Sequence, residues 1–367
     1  MLSAAFAVLE VLPVIAAAQS DSIAVNDFFA QWSFATFAHL RDPVGLYDYD
    51  GLHRFQVALE PLLRQFFPYP YPPTYLFAIW PLGYLPFRPA LLAWDLATLA
   101  LFVWAVFGRE LRSAYLPFVL LAPPTIICLA YGQNGLLISA MIVAGFRLMA
   151  TRPVAGGLLL GLATIKPQLG VLVPFALLAS AQWRVAAAAC ASAAGLAVLS
   201  AVAFGAAMWP AWLDVALGHA AWVGAAVNDY RKPTVLATLT LLGASPAVAY
   251  GVQGLVTAAV IVLVCLCFRR GPTLLSIAAL ESGTFLAVPF VFHYDLPMLV
   301  NAILLFVRAR RPLGLVEAGI VALGMLFAAL TTVTSRFFYM NTVALLALFG
   351  LIVWRELRTR ESDPSPA

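Results

Sequence analysis

Charge is what this chain has least of. Charged residues fill 10% of its 367 positions and hydrophobic ones 63%, where a soluble globular domain carries about 25% charge. That shortage excludes a soluble globular protein and points to an all-α polytopic membrane protein. Cysteine is scarce as well. Cys128, Cys190, Cys265 and Cys267 all lie in apolar stretches, so neither a disulfide framework nor zinc-ligand spacing follows. They read as small buried hydrophobes. No basic tract with interleaved aromatics is present, which excludes nucleic acid as a partner, and no repeat of about 20–50 residues is found. No Lys or Arg precedes Arg41. Met1 to Ala18 is apolar apart from Glu10 and ends in Ala16-Ala17-Ala18-Gln19, like a signal-peptide cleavage site, but the basic n-region is missing. An uncleaved first transmembrane helix is the expectation.

What charge there is falls in a pattern. Basic residues cluster at Arg109/Arg112, Arg147/Arg152, Arg184, Arg269/Arg270, Arg308/Arg310/Arg311 and Arg355/Arg358/Arg360. About two spans' worth of apolar sequence separates consecutive clusters. The positive-inside rule puts the clusters in the cytoplasm, and about twelve spans follow at about 20 residues each. The turns between clusters then face the other side of the membrane. Those turns hold the isolated polar residues: Gln133-Asn134, Lys166-Pro167-Gln168, Met208 to Pro233, His293-Tyr294-Asp295 and Ser335-Arg336. Asp27 joins them if Met1 to Ala18 spans outward.

Lys166 is the most informative of these. Its flanks, Val154 to Leu162 and Leu169 to Ala179, carry no charge, and a cation at that depth costs roughly 2.5–3.5 kcal/mol. Arg152 and Arg184 are too close together for two full crossings. Lys166 is therefore expected below the outer surface, in a protein-lined recess, where non-helical backbone is tolerated. The polar groups are expected to converge on one site.

Residues 1–354 read as one integral-membrane domain and 355–367 as a disordered cytoplasmic tail. Residues 20–70 read as an outer-face loop whose two stretches, Phe28 to Phe37 and Gly51 to Phe67, form amphipathic helices on the membrane surface. Tyr71 to Phe87, broken by Pro72, Pro73, Pro81 and Pro86, is a kinked span or a re-entrant piece.

The motifs then run in a recognisable order: Asn26-Asp27-Phe28, Gln31-Trp32, Leu46-Tyr47-Asp48, Tyr71-Pro72-Pro73-Thr74, Pro81-Leu82, Leu85-Pro86, Gly132-Gln133-Asn134-Gly135, Lys166-Pro167-Gln168 and Tyr294-Asp295-Leu296. In these the chain resembles glycosyltransferase family 87, the polyprenyl-phosphate-sugar-dependent mannosyltransferases of the GT-C superfamily. The first helix looks short for the family, and His293 stands where many members have another residue. The resemblance implies a GT-C-like helix bundle and inverting transfer of a hexose, usually mannose, at the outer face. A polyprenyl-phosphate donor gives the sugar to a lipid or glycan acceptor, with no metal and no other cofactor. It also implies that the Asp of the first outer loop, here Asp27, is the catalytic carboxylate.

Each site residue has a plainer reading beside the functional one. Asp27 is a general base or a helix N-cap. Lys166 holds the donor phosphate or snorkels. Gln133, Asn134 and Gln168 bond sugar hydroxyls or shape turns. His293, Tyr294 and Asp295 contact phosphate or acceptor, or Asp295 caps the helix that starts at Leu296-Pro297. Arg336 pairs with phosphate or anchors an interface. Asn228, Asp229, Arg231 and Lys232 touch the acceptor or form a solvated loop. Asp48-Tyr49-Asp50 looks like a metal-binding DxD, but an exposed loop is the better reading. A transporter or flippase for a lipid-linked sugar competes, because broken helices and buried cations occur there too. This chain shows no related halves, and its polar turns all face one way.

Overall fold

The computed structural model describes residues 27–63, 65–218, 231–309, 312–333 and 338–362. Among them all regular structure is helical, the form in which a chain satisfies its own backbone in lipid. In chain order the helices are α1 Phe28–Leu40, α2 Tyr49–Leu59, α3 Leu76–Ile79, α4 Phe87–Phe107, α5 Leu116–Leu120, α6 Pro123–Ala130, α7 Gly135–Met149, α8 Pro153–Leu162 and α9 Val173–Ala179. They continue with α10 Trp183–Phe204, α11 Met208–Gly218, α12 Val235–Leu241, α13 Pro246–Phe268, α14 Leu274–Ala287, α15 Pro297–Ala309, α16 Leu315–Val333 and α17 Phe338–Ser362.

Four helical stretches are long and apolar enough to cross a membrane: Phe87–Phe107, Trp183–Phe204, Pro246–Phe268 and Tyr339–Thr359. Six more apolar helical stretches are shorter. Of the long ones, Trp183–Phe204 and Pro246–Phe268 are the most exposed. Only 11% of the Trp183–Phe204 window is buried, and Val202 and Leu255 are 81% and 73% exposed. An apolar surface of that extent belongs against lipid. Three of the short ones form the interior: α7, α14 and α15 are buried along most of their length. At 1.5 Å per residue, α7, α14 and α15 are about 20 Å long, against about 30 Å of hydrocarbon. Each is too short to cross that thickness alone.

Three expectations change. The stretch Phe28 to Phe37 is not a surface helix: α1 is sunk in the core, with Phe28, Phe29, Phe34 and Ala35 almost fully buried. Its apolar residues lie all round, so it has no polar face to give to water. α2 is amphipathic, turning Leu52 and Gln56 inward and exposing His53 and Arg54, but it ends at Leu59 rather than running on to Phe67. The tail is helical as far as Ser362, and Arg355 pairs with Glu317 of α16 at 2.6 Å. Tyr71 to Phe87 contains no continuous span: two 3-10 turns flank the four residues of α3. Asp48 accepts a bond from Gly51 N–H at 3.2 Å and so caps α2. The expected first span, Asn228, Asp229, Arg310, Arg311, Ser335 and Arg336 lie outside the described residues.

Candidate active site

Three breaks in helices build the site. The first follows α8. Gly157 and Gly161 sit four apart on α8, where a Cβ on either would overlap the Val185 or Ala189 carbonyl of α10. Small residues at that spacing let the two backbones touch and fix where α8 ends. Lys166 precedes Pro167, which pushes it out of the helical region, and its φ/ψ of −138°/75° show the break. Its side chain is buried.

The second break joins α6 to α7. Gly132 turns with φ +59°, and a Cβ there would strike Phe28 of α1. Asn134 heads α7, yet its side chain does not cap it. A Cβ on Gly135 would overlap the Tyr294 carbonyl oxygen, so glycine at that position lets the third break close on the second. That third break is the 3-10 turn His293–Asp295 between α14 and α15.

The breaks meet in one bonded cluster. Lys166 Nζ lies 2.5 Å from Asp295 Oδ1 and donates to Asn134 Oδ1 at 2.8 Å. Asn134 Nδ2 donates to the hydroxyls of Tyr71 and Tyr75, each at 3.0 Å. The Tyr75 hydroxyl donates to Gln31 Oε1 at 2.6 Å, and Gln31 Nε2 donates to Gln133 Oε1 at 3.3 Å. Asp295 Oδ2 accepts from Phe292 N–H at 3.2 Å, so this carboxylate ties its own turn as well as Lys166. All these polar side chains are buried except that of Tyr71, which is partly so. A buried charge is tolerated when it is paired and bonded in this way.

The other expected residues surround the cluster. Tyr294 stacks on Phe292 at 5.0 Å, and Lys166 Nζ is 5.8 Å from its ring centre. Asp27 immediately precedes α1, whose Phe28 packs on Gly132 of the second break. Asp27 is half-buried and its side chain makes no capping bond to α1, so the N-cap reading does not hold. His293 is fully buried, its ring edge-on to Tyr131 at 5.2 Å, and its backbone N–H donates to the Arg231 carbonyl at 3.0 Å. Lys232 sits 4.6 Å from the Phe292 ring centre. Gln168 is half-buried and takes part in none of these bonds. Arg336 falls outside the described residues.

Sequence reasoning missed Tyr71, Tyr75 and Gln31. Gln31 and Tyr71 lie inside motifs quoted for the resemblance, and Tyr75 directly follows one, which was the available signal. The cluster can hold an anion or sugar hydroxyls. An ammonium has three N–H groups, and Lys166 directs two at Asn134 and Asp295.

A family model described as glycosyltransferase family 87 matches residues 69–292. No curated protein and no solved structure matches the chain. The matched region starts at Tyr69, just before Tyr71, and contains Tyr75, Gln133, Asn134 and Lys166, more than half of the chain. The chain is a membrane protein of glycosyltransferase family 87 and therefore a glycosyltransferase.

Proposed function

We propose that the enzyme moves a hexose, mannose in the first instance, from a polyprenyl-phosphate donor to a lipid or glycan acceptor. The reaction runs at the outer face of a bacterial inner membrane, within a GT-C-like bundle of about twelve spans, and inverts the anomeric centre. The observation that carries this reading is the buried Lys166–Asn134–Asp295 cluster, with Asp27 at the head of α1 next to Phe28, which packs on the Gly132 turn.

Asp27 takes the proton of the acceptor hydroxyl as that oxygen attacks the sugar's C1. The bond from C1 to the phosphate oxygen breaks, and its electron pair stays on the phosphate. Lys166 directs its third N–H at that oxygen, where charge grows in a dry setting and a fixed donor counts most. Asp295 keeps the ammonium charged and oriented, so it acts as a positioning residue. His293, Arg231 and Lys232 line the same side, and Arg336 is kept as a further phosphate partner. Gln133, Asn134, Gln168 and the Tyr294 hydroxyl suit sugar or acceptor hydroxyls. An apolar cavity of about 490 Å³ opens beside the Lys166 turn, bordered by Thr164, Pro167, Leu177 and Ala189. It suits the first units of a prenyl chain.

The test is a donor panel with purified enzyme in proteoliposomes. Polyprenyl-phosphate mannose should give product of inverted configuration, and Lys166→Ala should raise the donor KM. Product of retained configuration, or an unchanged donor KM and rate in Lys166→Ala, would overturn the assignment.

A further inference from the structure

The helices that carry the active-site turns have another shared end. α7, Gly135–Met149, follows Asn134 and carries Arg147 near its far end; α15, Pro297–Ala309, follows the Asp295 turn and carries Arg308 near its far end; α14 starts at Leu274 and ends before His293. At about 1.5 Å per residue their far ends lie about 20 Å from Lys166. A second cavity, of about 460 Å³, opens there between α4, α7, α14 and α15. Phe146, Ile277 and Leu305 form apolar walls, Asn301 lies at the inner end, and Arg147 and Arg308 border it.

The two arginines differ. Arg147 is committed to the end of α4: its Nε donates to the Ala105 carbonyl at 2.8 Å and Nη2 to that of Trp104 at 3.2 Å. Arg308 is held by rings, with its guanidinium carbon 5.8 Å from the Phe107 centre and 5.4 Å from that of Tyr115. Among the described residues no acceptor takes a hydrogen bond from it. A guanidinium carries five N–H donors in a planar fork that fits phosphate oxygens. The nearby Thr273 hydroxyl is directed to Glu356 at 2.9 Å, so the arginines are the donors this cavity offers. Asn301 faces inward, giving Nδ2 to both oxygens of Glu281 at 2.9 Å.

We propose that this cavity is a second lipid site, on the face opposite the active site, that seats an anionic phospholipid. Its phosphate sits on Arg308, beside Arg147, and its first acyl carbons lie against Phe146, Ile277 and Leu305. Charge complementarity carries the choice of occupant: two cations at the mouth of an apolar cleft between membrane helices match a charged phosphate on an apolar tail. The arginine pattern puts this end at the cytoplasmic leaflet, where anionic lipids supply the ligand.

The test is native mass spectrometry of the full-length protein in detergent, titrated with phosphatidylglycerol, phosphatidylcholine or glycerol phosphate. Phosphatidylglycerol should be retained over phosphatidylcholine, and glycerol phosphate should not compete with it. Arg308→Gln should weaken phosphatidylglycerol retention by roughly fivefold, the value of one cation near an anionic surface. Leu305→Trp, which fills the cleft and keeps both arginines, should abolish it, so the test does not depend on one variant folding. Equal retention of the two lipids, or unchanged phosphatidylglycerol retention in either variant, would refute the site. Glycerol phosphate binding as tightly as the lipid would reassign it to a soluble phosphate ester.

Discussion

Removing the Asp295 carboxylate separates what holds the site together from what works in it. In Asp295→Leu the Lys166 ammonium stays buried, with Asn134 Oδ1 at 2.8 Å as its remaining bonded partner in the cluster. Breaking a buried pair from one side leaves an uncompensated charge and costs about 3–5 kcal/mol. Lys166→Met should cost a similar amount, because it strands Asp295 in the same way. The double variant Lys166→Met/Asp295→Leu removes both charges, and apolar replacement of a buried pair is often neutral or stabilising by about 1–4 kcal/mol. Its stability should therefore lie well above either single variant, a coupling of several kcal/mol in a double-mutant cycle. Sugar transfer should be lost in all three. The assay is unfolding in detergent, run beside transfer in proteoliposomes. Single-variant losses that simply add would refute the pairing. Transfer that returns with stability in the double variant would show the pair to be structural and nothing more.

The other predictions concern packing and the buried polar groups. Gly135→Ala drives a methyl group into the Tyr294 carbonyl; overpacking of this kind costs about 1–3 kcal/mol, and the displaced Asp295 turn should lower transfer more than stability, as read by kcat against the unfolding midpoint. Asn301→Leu leaves the Glu281 carboxyl without the amide that bonds both its oxygens. It should destabilise by about 1–3 kcal/mol, and Glu281→Leu in the same chain should restore much of that in detergent unfolding.

The site was more legible in the sequence than the fold around it, for physical reasons. Lys166 stands out because a cation between uncharged apolar flanks is expensive, and Pro167 marks the break in the helix. The arginine spacing put Asn134, Lys166 and Asp295 on one face, and the structure bonds them to one another. α1 was misread because Gln31 and Ser33 among aromatics look interfacial. Both find buried partners from distant segments instead: Gln31 with Tyr75 and Gln133, Ser33 with Gln56 at 3.2 Å. Local sequence cannot show such partners. Tyr71 and Tyr75 stayed hidden because a proline-broken segment has no periodicity to read. The closeness of Gly135 to Tyr294 appears only when two breaks from distant parts of the chain meet. The tail looked disordered because its composition is polar, but Arg355 has Glu317 as a partner and the Trp354 ring beneath it at 4.4 Å.

The most direct test of the central claim is mannose transfer from polyprenyl-phosphate mannose to host lipid extract in proteoliposomes, comparing wild type with Asp27→Asn. Removing a general base should lower kcat by roughly 10²–10⁴-fold with expression and unfolding midpoint unchanged. Near-normal turnover in Asp27→Asn would contradict the account and remove Asp27 from the reaction.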